Sequence, residues 1–185
     1  MITYSLPESL EIAGTAYPIR WDMTAALDII TGLKDPDLTD HDKAELILGI
    51  LYVDKIPRHL QKEALEKARW FLDGGSTTKP GKGPQLVDWE QDYNIIIPAV
   101  NRVVGYDIRQ DPTTIHWWTF LGAYMEIGGE CLFAQVVSIR DKEARGKKLE
   151  KYEKEWATRN RNIIDIKKRY SEQEKDFLHE QFGIS

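Results

Sequence analysis

The chain has 185 residues, 42% of them apolar and 30% charged, with a net charge of −5. It is long enough to bury a core without metal or disulfide staples, and too apolar for a disordered polymer. A single cysteine, Cys131, excludes an intramolecular disulfide, and neither a leader pattern nor an apolar run of membrane length occurs, so a soluble protein of a reducing cytoplasm is expected.

The charge is unevenly spread. Arg140 to Asp176 holds 13 Lys and Arg against 9 Asp and Glu, which leaves 12 basic and 21 acidic residues elsewhere. An acidic body lacks the concentrated basic surface that neutralises duplex phosphates, which argues against nucleic acid as the main ligand.

In chain order, "SLEIAGTAYPIRW" alternates as a short β-hairpin over about residues 5–20, with Leu10 and Ile12 before an Ala13-Gly14 turn and Tyr17 and Ile19 after it. An isolated hairpin is marginal, so it must lean on helices or pair with another chain. "DMTAALDIITGL" predicts a helix from Asp22 to near Gly32 with Leu27 and Ile30 inward. In "DLTDHDKAELILGILYVD" Thr39 is the N-cap, Asp42 completes a capping box, and Leu46, Ile47, Ile50 and Leu51 form the apolar face. "PRHLQKEALEKARWFLDGG" predicts a third helix with Pro57 in its first turn, Leu60, Ala64, Ala68 and Phe71 on one face, and Gly74-Gly75 as its stop.

"GGSTTKPGKGPQ", residues 74–85, is a flexible loop by composition. Its glycines and lysines miss the Walker A spacing, since Pro80 stands five residues after Gly75 and Gly83 follows Lys82. "LVDWEQDYNIIIPAVNRVVG" then predicts a helix with Asp88 as N-cap and Gly105 as its C-terminal glycine, kinked or divided at Pro98. "TTIHWWTFLGAYMEIGG" predicts an aromatic helix capped by Thr113 or Thr114 and ended by Gly128-Gly129. Helical spacing puts Trp117, Leu121, Tyr124 and Met125 on one side, Phe120 between Trp117 and Tyr124, and Trp118 at the flank. Such a stripe is core material before it is a ligand site, with His116 closing the helix start.

"ECLFAQVVSIRDKEA" predicts a further helix with Leu132, Phe133, Val136 and Ile139 apolar and Cys131 as a small buried hydrophobe. Beyond it the chain is polar and helix-forming. Leu149, Tyr152 and Trp156 make a narrow stripe, then Ile163, Ile164 and Ile166 follow. A solvated helix is the first reading of this part, contact with a protein partner through Leu149, Tyr152 and Trp156 the second, and nucleic acid the third. The expected organisation is a mainly α, compact helical domain over 1–140 with the hairpin, and a charged helical extension over 141–185.

No catalytic constellation is visible. His41, His59, His116 and His179 lie on different predicted elements without metal-ligand spacing, and no serine stands in a nucleophile elbow. The acid pairs Asp35/Asp37 and Asp40/Asp42 stand where turns and helix starts want Asp, and no EF-hand pattern is met. No catalytic, cofactor or metal residue is therefore assigned.

The order "WFLDGG", "VDWEQDYNIIIPAVNRVVGYDI", "IHWWTFLGAYMEI…FAQVVSIRDKE" and "KKLEKYEKEWA" resembles the bacteriophage gp-fifteen tail-region family over Pro57 to Trp156. The signature is His116-Trp117-Trp118, supported by Phe120, Phe133, Ile139 and Arg140. The chain departs from the family pattern in its longer 74–85 stretch and in running on past Trp156. The resemblance implies a non-enzymatic phage or prophage protein of the host bacterial cytoplasm, encoded near the tape-measure protein. It further implies a tail assembly chaperone that binds the tape measure, gives way to tail tube protein and self-associates. The alternatives are a structural virion component (tail or connector subunit), a nucleic-acid-binding regulator and, last, an enzyme acting at the aromatic helix.

Overall fold

A computed structural model describes residues 5–78, 81 and 83–176. It is mainly α, with one two-stranded antiparallel sheet among the described residues. Its elements are β1 (Ser9–Ile12), β2 (Thr15–Pro18), α1 (Met23–Gly32), α2 (Asp40–Leu51), α3 (Gln61–Leu72), α4 (Tyr93–Val104), α5 (Trp117–Met125), α6 (Leu132–Ala144), α7 (Lys151–Arg159) and α8 (Arg161–Ile164), with one 3-10 turn before α3 and two between α4 and α5. They fall into two compact units. Unit 1 takes the chain up to Ser76 together with the segment beginning at Lys168, and unit 2 is Thr77–Lys167. The division expected at residue 140 falls inside α6.

In unit 1 the hairpin pairs Leu10 with Tyr17 and Ile12 with Thr15, and both residues of its loop have positive φ, 48° at Ala13 and 78° at Gly14. That is the primed turn whose twist matches paired strands, and Ala13 adopts it despite its Cβ. Leu10 and Ile12 are buried, and the strand packs on α3. After β2, Ile19 bridges antiparallel to Tyr52, and the Arg20 N–H donates to the Leu51 carbonyl at 2.8 Å. The hairpin therefore leans on helices of its own unit.

Asp22 caps α1 by accepting from the Thr24 and Ala25 N–H groups, and the buried face centres on Met23, Ala26 and Ile29, with Ile30 half-buried. In α2 the expected capping box is present: Asp42 N–H donates to Thr39 Oγ1 at 3.2 Å, and Thr39 N–H donates to the Asp42 carboxylate at 3.0 Å. The Thr39 hydroxyl also donates to the Asp42 carboxylate at 2.6 Å, and this bond, with that from Thr39 N–H, holds the Asp42 carboxyl below its ordinary pKa. The buried residues of α2 are Leu48 and Leu51, while Leu46, Ile47 and Ile50 are half-buried. Ala64, Ala68 and Phe71 are buried on α3 as their spacing requires, and the Tyr52 hydroxyl donates to the Ala64 carbonyl at 2.8 Å.

Unit 2 begins with a turn where a helix was expected. Asp88 accepts from the Glu90 and Gln91 N–H groups, and α4 starts only at Tyr93. Pro98 lies inside α4 without dividing it; the proline removes one donor, and the helix runs on to Gly105, whose φ of 86° closes it. His116, not Thr113 or Thr114, caps α5, because Pro112–Thr114 forms a 3-10 turn of its own. The helix ends at Met125, ahead of Gly128-Gly129. Cys131 is half-buried and caps α6, its Sγ accepting from Ala134 N–H at 3.4 Å, so its place is a helix start and not the core. Past residue 144 the chain forms α7 and α8, separated by Asn160.

Candidate partner-binding surface

The centre of unit 2 is aromatic. Trp117 and Phe120 are each 1% exposed and stack at 5.5 Å between ring centroids. Trp89, from the turn before α4, meets Trp117 edge-on at 6.1 Å and lies 6.0 Å from Phe120 and 4.9 Å from Tyr124. Tyr124 in turn meets Phe133 of α6 at 5.6 Å. The four rings beyond Trp117 explain why α5 is so apolar, since aromatic side chains bury more area than aliphatic ones. Burial, and next the charge of Asp92, push the Tyr124 hydroxyl above its ordinary pKa.

The five signature residues share this centre. His116 is buried and accepts from Trp118 N–H on Nδ1 at 3.0 Å, Trp117, Phe120 and Phe133 are buried, and Trp118 is half-buried at the flank. The inward face of α5 is Trp117, Phe120 and Ala123; Met125, expected inward, is 75% exposed.

Arg140 is the electrostatic centre. It is 5% exposed and makes five hydrogen bonds, one for each of its N–H donors. Two go to the Asp92 carboxylate at 2.6 and 2.9 Å, and the others to the carbonyls of Leu86, Ile163 and Ile164. The second side of Asp92 is satisfied by Asp88 N–H at 2.9 Å. A planar five-donor fork suits this site in a way that lysine cannot. Arginine in the "F…I…R" helix was visible in the sequence as part of the resemblance; its role was not, because its partners lie 23 to 54 residues away.

The surface feature of unit 2 is a trough. One depression of about 610 Å³ lies among Ala99, Arg102 and Val103 of α4 and the Glu126–Cys131 loop. A second, of about 500 Å³, is lined by Leu132, Gln135 and Ser138 of α6 with Tyr152 and Glu153 of α7. Both border the same loop residues, Gly129, Glu130 and Cys131, and together they make up the trough. Arg102 holds the loop to α4 by donating to the Glu130 carbonyl at 3.3 Å, and the Cys131 thiol ties it down by donating to the Gly128 carbonyl. Exposed apolar side chains gather here: Val103 is 40%, Leu132 45% and Tyr152 67% exposed on the lining, with Tyr106 and Met125 close by in sequence. Lone exposed apolar residues are ordinary, but a group of them around a depression marks an interaction surface.

Of the three candidate partner contacts, only Tyr152 reaches this trough. Leu149 and Trp156 turn the other way and pack, partly buried, on Ile139, Ala157 and Ile164. Of the apolar residues expected on α6, Phe133, Val136 and Ile139 are buried, while Leu132, the first residue of the helix, is exposed. Val103 carried no sequence signal that separated it from the buried Val100. Lys142 and Glu153 pair at the rim, the lysine holding the carboxyl below its ordinary value and being raised itself. Among the described residues no three His, Cys, Asp or Glu side chains are grouped as metal ligands would be. His41 and His59 are exposed on unit 1, and His179 lies outside the described residues.

An aromatic core, a buried arginine hub and an open trough of mixed polar and apolar lining characterise unit 2 of a mainly helical protein. A family model described as "Bacteriophage Gp15 protein" matches residues 2–171, and the chain belongs to that family. No curated protein and no solved structure matches it. The family match extends the resemblance read from Pro57 to Trp156 over unit 1 and the loop. No helix among the described residues is long and apolar enough to cross a membrane.

Proposed function

We propose that this phage-type protein is a non-enzymatic tail assembly chaperone, which binds the tape-measure protein during tail morphogenesis and releases it to tail tube protein. The observation that supports this reading is the trough, where Val103, Leu132 and Tyr152 stand exposed on a member of a bacteriophage family. An open depression with few apolar anchors suits helix-in-groove recognition, in which an amphipathic helix inserts side chains at i, i+3 and i+4. Each such contact is weak, so many copies along one long helix hold it through avidity and can still be displaced one by one.

The basic C-terminal third adds little to a nucleic-acid reading. Lys142, Arg145, Arg159 and Arg161 are spent on neighbouring carboxylates at 2.5 to 3.9 Å. Co-expression with the tape-measure protein of the same phage tests the proposal. The wild-type chain should keep that protein soluble and co-purify with it, and a Leu132→Asp/Tyr152→Asp chain of unchanged circular dichroism should not. No complex with either chain would defeat the proposal. Mass spectrometry of finished virions distinguishes a chaperone, which is absent from them, from a tail or connector subunit, which is retained.

A further inference from the structure

Residues 149–167 return across α6 and are attached there by contacts of their own. Their apolar share is small: Ala157 and Ile164 close on Ile139, with Leu149 and Trp156 partly buried at the edge. None of these five belongs to the ring cluster around Trp117. The remaining attachments are polar. The carbonyls of Ile163 and Ile164 accept from Arg140 at 2.6 and 2.7 Å. Arg161 donates to the Glu143 carboxylate at 2.8 Å, and Lys142 donates to Glu153. At the far end the Gln91 amide brackets the chain, donating to the Asp165 carbonyl at 2.9 Å and accepting from Lys167 N–H at 3.0 Å.

The Arg161 and Gln91 contacts are exposed and each contributes little, so the buried Arg140 bonds carry most of the polar attachment. Elements with few buried apolar contacts occupy the low end of the local stability scale. The aromatic cluster of α5 with Trp89 and Phe133 stays whole when residues 149–167 leave, since it uses none of them. We propose that 149–167 is a strap that undocks from α6 as one piece while α4 and α5 stay folded, and that Arg140 and Gln91 are its latch. Undocking uncovers Ile139 on α6 and Trp156, Ala157 and Ile164 on the strap. The opened form thus offers an apolar helical face that the docked form hides. This opening is a property of unit 2 alone and stands whether or not the trough takes a tape measure.

Hydrogen exchange read by mass spectrometry on the full chain tests it. Gln91→Ala removes both bracketing bonds and leaves the buried Arg140–Asp92 pair untouched. Amides of α7 and α8 should then exchange about ten-fold faster, the effect of losing an ordinary hydrogen bond, with α4 and α5 unchanged. Arg161→Ala, at an exposed pair, should give the same pattern at a few-fold. The proposal is overturned if α7 and α8 exchange at the rate of α4 and α5 in the unaltered chain. It is equally overturned if either variant speeds all four helices together, or if Gln91→Ala leaves the strap unchanged.

Discussion

Arg140→Ala is the most informative single substitution in this protein. It deletes all five hydrogen bonds of the hub and leaves Asp92, 2% exposed, with only the Asp88 N–H for company. Removing one partner of a buried ion pair costs about 3–5 kcal/mol, because the desolvated charge left behind has nothing to answer it. The carbonyls of Leu86, Ile163 and Ile164 lose their donors as well. Against a domain stability of about 5–15 kcal/mol this is a large fraction, so unit 2 should unfold at markedly lower urea. Four of the six tryptophans lie in unit 2, so indole fluorescence weights its transition, with far-ultraviolet circular dichroism as the second probe. Arg140→Lys keeps the charge without the fork and should lose about half as much. Asp92→Asn, alone and combined with Arg140→Ala, completes a double-mutant cycle, and contact at 2.6 Å calls for a coupling energy of about 2 kcal/mol or more. A cost for Arg140→Ala below about 1 kcal/mol, or strict additivity in the cycle, would refute the reading of Arg140 as the hub.

Three further outcomes follow from local geometry. Gly105→Ala forces a Cβ into φ 86° and should destabilise unit 2 by about 1–2 kcal/mol in the same urea titration. His116→Ala removes the N-cap acceptor of α5 and should cost about 0.5–2 kcal/mol, with His116→Asn recovering much of it because its side-chain oxygen can accept from Trp118 N–H. The pH dependence has a defined sign at both ends. Asp42 and Glu153 are held below their ordinary values of 3.8 and 4.5, and the Arg109 fork holds Asp107 well below the carboxylate range. Stability from these groups is present above those ordinary values and drains away as the pH falls through the lower folded-state values. Burial raises Tyr52 above its ordinary 10.0, so its contribution is present below that pH and is lost in strong alkali. Thermal midpoints across pH 2 to 11 would check both limbs, and a midpoint that climbs below pH 4 would contradict the first.

What could be read from the sequence was local. Thr39 with Asp42 three residues on, and Ala13-Gly14 between alternating apolar residues, specify their structures through neighbours two to four positions away, and both formed as expected. The aromatic helix was legible as core because its apolar density exceeded what a solvated face carries. Its boundaries were less so: Pro112 drew Thr113 and Thr114 into a separate turn and left the cap to His116. Asp88 misled for a related reason, since an Asx turn and an N-cap use the same side-chain bonds to the following N–H groups. The hub and the trough were not legible. Arg140 is identified by partners on three distant segments, and Val103, Leu132 and Tyr152 converge only once α4, α6 and α7 have packed.

Unit 1 is assembled from two stretches separated by the whole of unit 2. The Asp37 carboxylate, near the start of α2, accepts from the Glu172 N–H at 3.1 Å. During synthesis the ribosome therefore delivers every residue of unit 2 before the last piece of unit 1 emerges. Domains fold as units while the chain lengthens, so the second unit in sequence is the first that can be finished. The hairpin and its three helices receive their last piece from a segment made nearly a hundred residues after them, and none of its described residues enters their core. A nonsense mutation just beyond Lys167 would spare the trough, the ring cluster and the arginine hub, and would remove instead the Asp37–Glu172 contact at the opposite end of the gene's product.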